Sequence, residues 1–146
     1  IMDAIFTLQS IQEVTAMFWK RYKQQKVWAF YASMGSGKTT FIHTLCTHVL
    51  QVKNNIGSPT FSIINEYDSP VVGTVYHTDW YRLKDEEEAI NIGIEDMLAS
   101  GNLCLIEWAE KAPNLLPENT LHIFLEILDA DTRRIFVESN KENILS

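Results

Sequence analysis

Apolar and polar positions divide this chain into short blocks with contrasting periods. Val27 to Ala32 is an apolar and aromatic run of strand length with polar residues on both sides, the profile of a buried strand. Beyond a glycine-containing turn, Phe41, Ile42, Leu45, Val49 and Leu50 recur at helical spacing. Upstream, Ile11, Val14, Met17, Phe18 and Tyr22 trace one face of a helix predicted to end near Lys23, and Ser10-Ile11-Gln12-Glu13 has the form of a capping box. Downstream, Asn54 to Pro59 reads as a loop. Thr60 to Tyr67 alternates as a strand, Asp68-Ser69-Pro70 turns the chain, and Val71 to His77 returns as a second, antiparallel strand with Asp79 just past its end.

Lys84-Asp85-Glu86-Glu87-Glu88 is the acid-rich first turn of a short helix, where carboxylates oppose the helix dipole favourably. Asn91-Ile92-Gly93 breaks that helix, and Ile94 to Ala99 forms another. Asn102 to Glu107 is a continuous apolar run closed by an acid, as expected of a parallel strand buried on both faces. Leu121 to Leu128 and Arg133 to Glu138 are two further strands around an Asp129-Ala130-Asp131 turn. These elements predict a single domain over residues 1–146. Its fold class is α/β: three layers, α/β/α, around a central mostly parallel sheet with some antiparallel strands.

Composition narrows the function classes. The net charge of −7 makes the domain a poor nucleic-acid binder by charge alone. The longest apolar run is far too short to cross a bilayer, and no basic region followed by an apolar core opens the chain, so the expectation is a cytoplasmic protein without a membrane partner. Cys46 and Cys104 lie in apolar surroundings and read as reduced core thiols.

The chemistry concentrates in Ala32-Ser33-Met34-Gly35-Ser36-Gly37-Lys38-Thr39-Thr40, between the first strand and the helix that follows. Strand, glycine turn with Lys-Thr, helix is the layout of a phosphate-binding P-loop. Gly35 and Gly37 let the backbone curl so that successive N–H groups converge on one anion, and the helix start adds the positive end of its dipole. Lys38 supplies a mobile charge for β- and γ-phosphates, and the Thr39 hydroxyl is a hard oxygen suited to Mg²⁺. Ala32 occupies the place where the G-x-x-x-x-G-K-[ST] pattern begins with glycine. If that place requires a left-handed backbone, alanine costs about 1–2 kcal/mol there.

Away from this loop, Glu107 closes the buried strand where P-loop proteins hold an acid that binds Mg²⁺ or polarises water; the competing reading is a surface acid at a strand end. Asp79 either orients Mg²⁺ or a water, or caps the segment that follows it. His77 shares the strand before Asp79 and reads as packing. His43 and His48, five residues apart, do not form a paired ligand on one helical face. Trp108 either stacks on a base, shields the site or fills the core.

Four motifs in this order carry a resemblance: Gly35-Ser36-Gly37-Lys38-Thr39-Thr40-Phe41, Ser58-Pro59-Thr60-Phe61, His77-Thr78-Asp79-Trp80-Tyr81-Arg82-Leu83 and Ile106-Glu107-Trp108. Over Val27 to Glu110 the chain resembles the TsaE (YjeE) family of small bacterial P-loop ATPases, and departs from it at Ala32 and at Ala109, where proline often follows Glu-Trp. The resemblance implies an ATP- and Mg²⁺-dependent accessory to the TsaB–TsaD complex, which makes N6-threonylcarbamoyladenosine in tRNA; tRNA itself would be met only indirectly. Carried over by motif, Met34, Gly35, Ser36, Gly37, Lys38, Thr39 and Thr40 would wrap the phosphates, and Thr39 and Glu107 would hold Mg²⁺. Lys38, Asp79 and Glu107 would act in hydrolysis. Thr60 would sense the γ-phosphate, Trp108 would lie by the nucleotide, and Arg134 would be a further nucleotide contact.

The expected reaction is in-line attack of water on the γ-phosphate of Mg·ATP, with either Glu107 or Asp79 positioning the water. Without an evident arginine finger other than Arg82, turnover is expected to be slow alone and stimulated by the partner. Two other classes compete: a small-molecule kinase, which the small number of arginines (Arg21, Arg82, Arg133, Arg134) disfavours, and a nucleotide-gated binding module that barely hydrolyses.

Overall fold

The computed structural model describes residues 2–33, 35–53 and 64–138. Its seven strands are β1 (Asp3–Phe6), β2 (Val27–Ala32), β3 (Ile64–Ser69), β4 (Gly73–Asp79), β5 (Leu103–Glu107), β6 (Leu121–Ile127) and β7 (Arg133–Val137). They form one sheet in the order β1-β7-β6-β2-β5-β4-β3. The four central strands are parallel, as the apolar runs of β2 and β5 predict, while β1, β7 and β3 are antiparallel additions at the two edges.

Alternation along β2 divides the core into two layers. Trp28 and Phe30 join Val14 and Phe18 of α1 (Ile11–Tyr22) and Phe41 and Ile42 of α2 (Lys38–Thr44) on one face. Val27 and Ala29 turn to the other face, with Trp80, Leu83, Ala89 of α3 (Glu86–Asn91), and Ile94 and Met97 of α4 (Ile94–Ala99). Helices therefore cover both faces of the parallel strands. The carboxyl ends of those strands, with Phe30 and Asp79 both in register with Glu107, form one rim. Ligands of open α/β sheets bind at such a rim.

Several local expectations are corrected. Strand β1 has four residues and carried no alternation strong enough to predict it; pairing with β7 creates it. Ser10 does not close a capping box. Its hydroxyl accepts the Thr7 N–H at 3.0 Å, and it makes no side-chain cap bond to the helix. On α1 the buried stripe runs through Ile11, Val14, Thr15 and Phe18; Thr15 turns inward with its hydroxyl donating to the Gln12 carbonyl, and Met17 is half-exposed. Helix α2 widens into a π-turn at Leu45–Val49, so that Leu45, Cys46 and Leu50 are all buried.

The β3–β4 hairpin turns later than expected. Ser69 ends β3, and its hydroxyl accepts the N–H groups of Val71 and Val72, which makes this Val-Val pair a turn. Strand β4 consequently starts at Gly73 and includes Asp79, which stands in the ladder opposite Glu107. Both cysteines are free and buried, and burial pushes each thiol up to about 12. No described helix is long and apolar enough to cross a membrane.

Candidate functional site

At the carboxyl end of β2 the chain leaves the sheet through Ser33 and re-enters regular structure at Lys38. Gly35 (φ +78°) and Gly37 (φ +94°) both lie in the left-handed region, which glycine adopts without steric cost, and the Ser36 N–H between them donates to the Ser33 carbonyl at 3.2 Å. Ala32 does not. It is the last residue of β2, paired with Leu125 in the ladder, so the missing glycine carries no left-handed penalty. Ser36 is buried, and its hydroxyl has no hydrogen-bond partner among the described residues, an orphaned polar group inside the loop. Thr39 and Thr40 open α2 with exposed side chains. Met34 and Thr60 lie outside the described residues.

Lys38 is nearly buried. Its Nζ lies 3.9 Å from Glu107 Oε1 and 4.5 Å from the centre of the Trp108 ring, so an acid and an aromatic face hold the ammonium at the mouth of the loop. Trp108 takes a left-handed backbone (φ +60°), unusual for so bulky a residue, which turns its ring toward Lys38 and Tyr81. The ring thus stands at the site, half-buried, with Tyr81 packed 4.9 Å from it.

Glu107 is 2% exposed and is not the surface acid of the competing reading. Its Oε2 lies 2.6 Å from Nε2 of His77, and Nδ1 of His77 lies 2.9 Å from the Tyr67 hydroxyl. The backbone carbonyl of Glu107 also accepts the Trp80 N–H, which ties the two strand ends together. Asp79, alongside, accepts the Tyr81 N–H at 2.9 Å on Oδ1, while Oδ2 has no hydrogen-bond partner among the described residues. The capping reading of Asp79 is met by that bond, which fixes the following turn. Burial, with a contribution from the Glu107 carboxylate, raises the Asp79 pKa, while the Tyr81 N–H, Lys38 and His77 act against the shift.

The two arginines of β7 point to opposite faces of the sheet. Arg134 donates to both carboxylate oxygens of Asp3, at 2.9 and 2.7 Å, reaches Glu126 at 3.3 Å and lies over the Phe136 ring. Its side chain is thereby committed to β1 and β6. Arg133 is the arginine beside the P-loop: its Nε is 3.8 Å from the place where a Cβ on Gly37 would be, and its Nη1 donates to the carbonyls of Asp129 and Thr132. His77, Tyr67 and Arg133 are the residues that sequence reasoning left aside; strand parity distinguishes Arg133 from Arg134 once β7 is known to pair beside β6.

A model of the family described as threonylcarbamoyl adenosine biosynthesis protein TsaE matches residues 6–135, nearly the whole chain. The chain belongs to the TsaE family. Among its relatives, a tRNA threonylcarbamoyladenosine biosynthesis protein TsaE of Rickettsia bellii is 37% identical over 131 residues, covering 87% of this chain and 90% of that protein. The protein of the same name from Bacillus subtilis is 34% identical over 127 residues, 87% of this chain and 76% of its own length. The crystal structure of Bacillus subtilis YdiB superposes with a TM-score of 0.68 at 25% identity, over 99% of this chain and 89% of that one. The TsaE match spans every candidate residue from Met34 to Arg134, so the site described above lies wholly within the family's part of the sequence.

Proposed function

We propose that this chain is a Mg²⁺-dependent ATPase that serves threonylcarbamoyladenosine synthesis on tRNA by acting on the TsaB–TsaD complex. The observation that carries the reading is Lys38, nearly buried between Glu107 and Trp108 at the mouth of a turn with two left-handed glycines and an orphaned Ser36 hydroxyl. A nearly buried ammonium beside a turn with two left-handed glycines suits a polyphosphate, which would offer oxygens to Lys38 and to the Ser36 hydroxyl. The names of the relatives supply the tRNA modification, and the resemblance supplies the partner complex; the charge of −7 accords with tRNA being met indirectly.

The donor chemistry fits Mg²⁺. The exposed Thr39 hydroxyl and the Glu107 carboxylate are hard oxygens, and no three His, Cys, Asp or Glu side chains gather around an ion among the described residues. Phosphate oxygens and water would therefore complete the shell, as Mg²⁺ prefers. Bound there, the ion would offset charge on the β- and γ-phosphate oxygens. Lys38 would hold the same oxygens as charge shifts toward the leaving ADP. Of the two acids, Asp79 is better suited to orient the attacking water, because one of its oxygens has no hydrogen-bond partner among the described residues while both Glu107 oxygens face Lys38 or His77. Arg133, on the flank of Gly37, would face the nucleotide.

The test is phosphate release from Mg·ATP, with and without purified TsaB–TsaD. Stimulation by the pair is expected, with a loss of about 10²–10³-fold in Lys38→Ala. Release needs no acceptor, so it also separates hydrolysis from kinase chemistry. Tight nucleotide binding without release, with the pair present, would remove hydrolysis as the activity.

A further inference from the structure

A line of polar groups crosses the otherwise apolar inner face of the sheet next to Val75, Leu103 and Leu105. Tyr67 of β3, His77 of β4 and Glu107 of β5 sit on three neighbouring strands. Each is displaced by two residues from direct register with the next: Tyr67 faces Val75, and His77 faces Leu105. Long side chains reach one another across this diagonal. His77 and Glu107 are 1% and 2% exposed, and Tyr67 is 3% exposed, so water does not compete for these bonds. A carboxylate that holds a cation only accepts, so in the metal-binding form Nε2 of His77 would carry the hydrogen shared with Glu107 Oε2. Nδ1 has the Tyr67 hydroxyl as its partner, so both ring nitrogens are engaged and the ring orientation is fixed.

We infer that His77, held by Tyr67, is a positioning residue for Glu107: it anchors Oε2 and leaves Oε1 as the oxygen presented at the P-loop. The inference rests on the proposed function, in which Glu107 holds Mg²⁺. Packing alone would be served by any side chain of this volume. What His77 adds is a donor aimed at one oxygen of a buried carboxylate whose other side-chain partner among the described residues is the Lys38 ammonium, at 3.9 Å. A carboxylate free to rotate at that depth would meet an ion in the required orientation only part of the time. Groups that orient a metal ligand in this way typically matter by about 10–100-fold in metal affinity.

The experiment is calorimetric titration of Mg²⁺ into the ADP-saturated protein, beside ADP titration in EDTA, for wild type, His77→Leu, His77→Gln and Tyr67→Phe. His77→Leu is expected to weaken Mg²⁺ by about 10–100-fold while leaving metal-free ADP affinity within about twofold. His77→Gln, whose amide can present a hydrogen near the place of Nε2, should recover most of the loss. Tyr67→Phe removes a single hydroxyl, keeps the fold should His77→Leu fail to give folded protein, and should weaken Mg²⁺ a few-fold without touching metal-free ADP. Wild-type Mg²⁺ affinity in both Tyr67→Phe and folded His77→Leu, or equal losses with and without metal, overturns the inference alone. ADP binding that Mg²⁺ does not strengthen in the wild type removes the proposed function together with it.

Discussion

Replacing Ala32 by glycine restores the first residue of the P-loop pattern, and the structure says that this repair should weaken the protein. Ala32 ends β2, pairs with Leu125 and packs half-buried against the α1–α2 side of the core. Glycine in an extended strand loses about 0.5–1 kcal/mol through the greater freedom of the unfolded chain. Removing a methyl that is only half-buried adds about 0.4 kcal/mol, half of the value for a buried methylene. The sum is about 1 kcal/mol. For a domain near this size it lowers the melting temperature by about 2–4 °C, which differential scanning calorimetry resolves. ADP affinity should stay within about twofold, since the left-handed angles of the loop belong to Gly35 and Gly37. Had Ala32 been strained, glycine would instead recover about 1–2 kcal/mol, worth about 5–30-fold if it were expressed in binding. A higher melting temperature, or ADP bound at least about fivefold more tightly, would refute the argument.

Gly37→Ala and Gly93→Ala form a matched pair. Both sites have left-handed backbones and room for a methyl, so each should lose about 1–2 kcal/mol in unfolding experiments. Only Gly37→Ala should also weaken ADP binding, because Gly93 caps α4 away from the loop. Asp79→Asn keeps the oxygen that accepts the Tyr81 N–H and removes the charge. The raised Asp79 pKa means that the native state binds this proton more tightly than the unfolded chain does. Wild-type stability is thus eroded as pH rises from the ordinary 3.8 through the raised value. The variant should be the more stable protein at pH 7 and lose that advantage in acid, by urea unfolding at both pH values; a gap that does not change with pH would contradict the assignment.

Much of the fold was legible because its central strands are apolar throughout and its helices keep a clear period. What escaped was set by pairing. Nothing in Asp3–Phe6 marks a strand until β7 offers its edge, and Val71-Val72 looks extended until the Ser69 hydroxyl gathers both N–H groups. The same holds at the candidate site. Lys38, Glu107, Asp79 and Trp108 were readable from local motifs, and the structure brings them to one rim. Tyr67 and His77 are joined to Glu107 only by strand order and a two-residue stagger, which no local pattern encodes. Whether a β7 arginine faces the loop or the opposite side depends on a one-residue parity that the sequence leaves open.

The Arg134 clamp on Asp3 and Glu126 acquires another meaning when β7 is followed to its other face. One guanidinium stitches three strands across a sequence separation of 131 residues, and the next residue on the same strand, Arg133, borders the P-loop. Joining elements so distant in sequence closes a very long loop, at an entropic cost that grows only slowly with its length. The flank of the loop at Gly37 is thus carried by β7, which β6 holds on one side and the four-residue β1 on the other. The strand that Arg134 ties to both its neighbours on one face therefore backs the phosphate loop on the other, so one five-residue strand serves the sheet edge and the candidate site together.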